Sequence, residues 1–168
     1  MKTLQKAFTA LIAGVSFVAA ASSASAQTFT PGQAVKASGT LNQSLSVDPS
    51  TLTICNVTFH GVVLGSGTTV TGFRFDSYEG TQVGGPGNLA CDDSIHFGPV
   101  SGGPDDLTAT FTSPTQLNLA HILISTRLGE CEDTNITLNW NGSGVVFPVG
   151  TLIAPVCQFD GTLTVSAE

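Results

Sequence analysis

The residues best suited to chemistry in this 168-residue sequence are acidic side chains close to a histidine, and four cysteines set far apart. Asp92 and Asp93 precede His96 and follow Cys91, so two carboxylates and an imidazole fall within five residues. Such a set could hold a hard cation or a transition metal if its loop folded back on itself. It lacks the alternating oxygen ligands and the glycine of an EF-hand loop, and a solvated acidic loop is the plainer reading. Asp105-Asp106 and Glu130-Cys131-Glu132-Asp133 are further acidic groups. A glycosidase pair would need its carboxyl groups about 5–9 Å apart, a separation that sequence does not set. The three histidines, His60, His96 and His121, show no i, i+4 ligand spacing. No G-x-S-x-G elbow, H-E-x-x-H motif or phosphate-binding glycine loop is present. No catalytic residue, metal ligand or cofactor is therefore assigned, and the expectation is that the protein is not an enzyme.

Cys55, Cys91, Cys131 and Cys157 follow one another at separations of 36, 40 and 26 residues. None is the close C-x-x-C pair that points two sulfurs at one metal or redox centre. An even number of distant cysteines in an exported chain reads as two disulfides. Four cysteines allow three connectivities. An internal echo favours Cys55 with Cys157 and Cys91 with Cys131, because Cys55-Asn-Val-Thr-Phe and Cys157-Gln-Phe-Asp-Gly-Thr-Leu each open an alternating run, as neighbouring strands of one sheet could.

Export is read from the first 26 residues. Lys2 and Lys6 give a positive start, residues 7–21 an apolar stretch, and Ser22-Ser-Ala-Ser-Ala26 a small-residue cleavage site. The stretch is interrupted by Thr9, Gly14 and Ser16 and falls short of the roughly 20 residues of a membrane span. Cleavage after Ala26 leaves one domain, residues 27–168, with no further integral membrane span expected. That domain keeps three basic residues against twelve acidic ones, a net charge of −9. Nucleic acid and anionic membrane are poor partners for such a chain, since both reward clusters of Lys and Arg.

The elements that would carry these residues are strands. Apolar side chains recur at period two in residues 35–45, 51–64, 68–77, 107–112, 116–127, 135–141 and 158–166. Turn signals separate the runs: Gly65-Ser-Gly67, Gly84-Gly-Pro-Gly87, Gly102-Gly-Pro104, Asn141-Gly-Ser-Gly144 and Asp160-Gly161. The second run changes face between Ile54 and Val57, which predicts a bulge beside Cys55. Residues 116–127 also fit an amphipathic helix, and Pro114, Ile122 and Ile124 tilt the reading to strand. The expected fold is all-β, an antiparallel sandwich or partly open barrel of about seven to nine strands with two disulfides. Ten phenylalanines against one Trp and one Tyr suit a core better than a sugar-stacking platform, and Trp140 is expected to pack.

Several of these segments together resemble a known group. The Ala-x-Ala site, Ala37-Ser-Gly-Thr-Leu41, Cys55-Asn-Val-Thr-Phe-His-Gly61, Val70-Thr-Gly72, a middle cysteine and Cys157-Gln-Phe-Asp-Gly-Thr-Leu-Thr-Val-Ser166 are similar to the small secreted bacterial activators of alkane oxidation, the PraB-like proteins. Residues 105–133 carry nothing that matches. The resemblance implies a non-catalytic extracellular protein linked to growth on hydrophobic substrates or to biofilm, and it supplies no catalytic residues.

The expectation is thus an exported protein of the cell surface or medium, with an interaction, adhesive or surface-active role and self-association or a cell-surface partner. One route is strand addition, in which residues 28–45 leave their own domain to complete a neighbour's sheet. The alternative is a binding module for a hydrophobic small molecule lined by Phe73, Phe75, Phe97 or Phe111.

Overall fold

The computed structural model describes residues 28–46, 48–86, 91, 95–96, 107–126, 129–153 and 157–168, with the backbone alone at 49, 51, 95, 96, 124–126, 129, 130 and 152. The expected leader, Asp92, Asp93, Phe97, Asp105 and Asp106 lie outside the described residues.

Among the described residues nine strands follow in order: β1 (Ala34–Leu45), β2 (Asp48–Ser66), β3 (Thr69–Gly84), β4 (Ile95–His96), β5 (Leu107–Ser113), β6 (Gln116–Thr126), β7 (Gly129–Trp140), β8 (Gly144–Ile153) and β9 (Cys157–Ala167). Every pairing is antiparallel, and strand order runs β6-β5-β3-β2-β1-β9-β8-β7 with β7 returning to β6. Eight strands therefore close on themselves as an up-and-down barrel. The short β4 sits above β5 on the same side of β6, opposite Leu123 and Ile124. The closed barrel replaces the expected sandwich or partly open barrel. Alternation is identical in all three; what decides is the pairing of the first strand with the last, Val35 to Leu45 against Ala167 to Cys157.

The wall is sorted by period two. Val35, Ala37, Leu41 and Leu45 of β1 point inward, as do Val57, Phe59 and Val63 of β2 and Phe159, Leu163 and Val165 of β9. Outward residues on the same strands are Ser38, Thr40, Asn42, Asn56, Thr58, Thr162 and Thr164, tied in places by side-chain bonds such as Thr40 Oγ1 to Asn56 Oδ1 (2.9 Å) and Asn42 Nδ2 to Asp160 Oδ2 (2.7 Å). Apolar inside and polar outside is the reverse of a membrane-spanning barrel's pattern. Among the described residues no helix is long and apolar enough to cross a membrane.

The predicted runs correspond to β1, β2, β3, β5, β6, β7 and β9, and residues 116–126 are a strand and not a helix. Three details differ. The bulge beside Cys55 exists, but β2 alternates without a face change and Ile54 simply faces out; the extra residue is Val83 of β3. β7 begins six residues before the predicted 135, because its charged first half, Gly129 to Thr134, pairs with β6 through backbone bonds that side-chain pattern does not announce. β8 was absent from the predicted set, since Pro148 and Gly150 break its alternation. Residues 148–150 bulge outward between Phe147, opposite Gly161, and Thr151, opposite Phe159.

The disulfides also correct the favoured pairing. Cys55 is joined to Cys91 and Cys131 to Cys157. Cys55 and Cys157 lie not on neighbouring strands, as the echo suggested, but on β2 and β9 either side of β1, opposite Leu41 and Leu45. Four residues along a strand is about 13 Å, beyond the roughly 7 Å that a disulfide spans between Cα atoms. Cys91 is held near β3, where the Tyr78 hydroxyl donates to its carbonyl. Cys131 and Cys157 clamp the start of β7 to the start of β9 where β8 has left β7, those two strands pairing only at Asn139–Trp140 with Val146–Val145.

Candidate functional site

The polar candidates are dispersed over the outer wall. His60 faces out from β2, and its Nδ1 lies 2.6 Å from Glu168 Oε1 at the chain end. His121 of β6 has Nε2 3.0 Å from Glu132 Oε1 on β7. Asp133 Oδ1 accepts the Thr134 amide at 2.7 Å. Within Glu130-Cys131-Glu132-Asp133, strand alternation sends Cys131 into the core and Glu132 to the surface. Of the Asp92-Asp93-x-x-His96 set, only the His96 backbone is described, in β4. Among the described residues no three His, Cys, Asp or Glu side chains gather as a metal site.

The aromatic residues do converge. Antiparallel order places the β2–β3, β5–β6 and β7–β8 turns, together with the start of the described chain at Thr28, at one end of the barrel. Phe73, one of the largest fully buried side chains, lies at the centre of that end. Phe111 stands 5.7 Å from it at the finish of β5, Trp140 5.5 Å from it at the finish of β7, and the Phe111 and Trp140 rings meet edge to face at 5.4 Å. Deeper in the barrel, Phe75 stacks on Phe73 at 6.2 Å. The outer members, Phe111, Trp140, Val70 and Phe29, are only partly buried. Offset and T-shaped rings at these separations contribute roughly 0.5–1.5 kcal/mol per pair beyond area burial.

Phe29 comes from outside the strands. The segment 28–33 crosses this end as a strap, held by Gly32 N donating to Val63 O (2.9 Å), Val63 N to Gln33 O (2.9 Å) and Gln33 N to Thr30 O (3.0 Å). Gly32 takes a positive φ of 83°, which turns the strap back toward β1 at little steric cost. Phe29 then meets Phe73 edge on at 5.5 Å.

Below Phe75 the barrel keeps a small apolar cavity of about 20 Å³, lined by residues that include Ala37, Phe59, Phe75, Leu107, Ala109 and Phe147. That space admits about one water-sized probe, far short of the roughly 300 Å³ of a drug-sized pocket. Eight strands give an interior that side chains just fill, and here they fill it. Of the residues expected to line a ligand site, Phe73, Phe75 and Phe111 are brought together at the mouth; Phe97 lies outside the described residues. Phe29 and Trp140 complete the cluster and were not singled out for it, because Phe29 sits before any alternating run and ring convergence across β3, β5 and β7 depends on barrel closure.

Chemically the mouth is a half-open apolar surface. None of its aromatic members carries a nucleophile or a charge, so what they offer is apolar contact. A family model described as alkane oxidation protein activator, PraA/PraB-like, matches residues 1–168. No curated protein and no solved structure matches the chain.

Proposed function

The chain belongs to the PraA/PraB-like family of alkane oxidation protein activators, and on that premise we propose that it is an exported, non-catalytic barrel that aids growth on hydrophobic substrates by contact, at the cell surface or in the medium. The observation that carries this reading is the aromatic mouth: Phe29, Val70, Phe111 and Trp140 stay partly exposed around buried Phe73 at one end of the barrel, the place among the described residues where aromatic rings reach the surface as a group. Exposed aromatic groups of this kind mark contact sites for apolar material or protein partners. The histidine–carboxylate pairs lie on the outer face of the wall, His60 with Glu168 near the strap and His121 with Glu132 between β6 and β7, and neither supplies a reacting constellation that would suggest an enzyme. The N-terminal leader and the two disulfides favour an oxidising destination.

The test is complementation of a strain lacking the protein, grown on an n-alkane. Phe111→Thr with Trp140→Thr keeps strand propensity while removing the rings, and is expected to reduce growth to that of the uncomplemented strain although the exported product is present at the wild-type level. His60→Ala and His121→Ala are expected to support normal growth. Normal growth with the double mouth variant, or loss of growth with either histidine variant, would contradict a contact role for the mouth.

A further inference from the structure

We infer that the mouth is a binding site for a neutral, unbranched alkyl chain, and that Phe29 occupies the seat of that chain in the free protein. The inference rests on the contact role proposed above and names the ligand class.

Free space alone does not make the site, since the cavity below Phe75 is about 20 Å³. A ligand must displace a side chain, and the choice is narrow. Phe73 and Phe75 are buried within β3, and Phe111 and Trp140 belong to paired strands. Among the described residues, Phe29 is the ring at this end that stands outside the sheet, on a strap attached by a few backbone bonds near Gly32. Swinging the strap out breaks no barrel pairing and uncovers the edge of Phe73 beside Phe111 and Trp140. The stacked Phe73 and Phe75 then lead inward to a cavity whose lining residues are all Ala, Val, Leu or Phe.

The lining selects the ligand. Walls without a polar side chain leave any buried hydroxyl or carboxylate unpaired, a costly arrangement. With Phe73 and Phe75 filling the bore, what Phe29 vacates is a slot about one ring wide beside Phe73, Phe111 and Trp140, which suits a linear chain better than a branched one. The mature chain's charge of −9 disfavours a fatty-acid anion. What remains is an alkane or a long primary alkanol with its hydroxyl at the rim.

Trp140 is the sole tryptophan and sits in the cluster, so its fluorescence reports occupancy directly. The oxidised mature protein and its Phe29→Ala variant are titrated with n-alkanols of increasing length, a branched alkanol and decanoate. The expected result is a saturable change in Trp140 emission with linear alkanols, with affinity rising with chain length and then levelling as the seat is filled. Phe29→Ala should bind about tenfold more tightly, because the wild type gives up the packing of Phe29 before the chain can enter. The branched alkanol and decanoate should bind neither protein. Absence of a saturable response in both proteins, or affinity in Phe29→Ala equal to or weaker than wild type, overturns the inference. Binding of the branched alkanol or decanoate as tight as that of linear alkanols overturns the assigned ligand class. Because this assay reads binding and the complementation assay reads growth, a mouth that fails to take alkyl chains but is required for growth would leave the contact role standing.

Discussion

Single residues in this barrel are constrained most where backbones approach closely. Gly161 of β9 has φ 145°, and a Cβ there would lie 2.3 Å from the Thr40 carbonyl oxygen on the neighbouring strand. Gly142, in the β7–β8 turn, has φ 94° but nothing within 4 Å of a Cβ. Gly161→Ala is therefore expected to lose about 2–4 kcal/mol, strain and collision together, and Gly142→Ala only about 1 kcal/mol of strain. Urea denaturation of the oxidised protein checks this; equal losses would show that backbone crowding is not what Gly161 relieves. Phe73→Ala should cost about 3–5 kcal/mol by leaving a hole under the aromatic mouth, whereas a loss below about 1 kcal/mol would mean that Phe73 is not its keystone. The sequence disclosed little at this level. The alternation of Val35, Ala37, Leu41 and Gln43 showed that they share a face, but the pairing of His60 with Glu168, 108 residues away, follows only from β9 reaching the far side of β1.

For whole strands, period-two patterning was readable wherever one side of the wall is apolar and the other polar, which is why seven of the runs correspond to strands. It failed at β8, where Pro148 and the bulge at 148–150 interrupt it, and at the charged start of β7. β1 is hydrogen-bonded to β2 on one side and to β9 on the other, in the middle of its own wall, so leaving to complete a neighbour's sheet would break both pairings. Deleting residues 28–44 should thus give an unfolded chain with no cooperative thermal transition; a folded domain that merely fails to assemble would restore strand addition. The open stretch between β7 and β8 is guarded by other means. Pro148 offers no amide, Glu132 faces solvent, and Asn135 turns through a positive φ of 59°, features that blunt an edge against foreign strands. The Cys131–Cys157 bridge spans the same stretch. Replacing both cysteines by serine should cost about 3–4 kcal/mol for a loop of this size, and non-reducing peptide mapping of the wild type should recover Cys55 with Cys91. Recovery of Cys55 with Cys157 would contradict the register of β1 against its two neighbours.

Taken as a molecule, the described residues form a closed sheet whose neighbouring strands are hydrogen-bonded around the circumference, except along the stretch where β8 leaves β7, over an interior packed with apolar side chains. Closure brings the first strand against the last and was not legible, because sandwich, open barrel and closed barrel share one alternation. The same closure assembles the mouth from Phe29, Phe73, Phe111 and Trp140, residues spread over more than a hundred positions, so the sequence named Phe73 and Phe111 as lining residues but not Phe29 or Trp140. The family is described as activators of alkane oxidation, and the mouth is the surface proposed above to meet hydrophobic matter. The most direct test is partition of the oxidised mature protein between buffer and an emulsion of n-hexadecane, compared with Phe111→Thr/Trp140→Thr of matched thermal stability. The account predicts that wild type is retained on the droplets and the variant stays in the buffer. Equal retention of the two proteins, or no retention of wild type, would contradict a mouth that works by contact with hydrophobic matter.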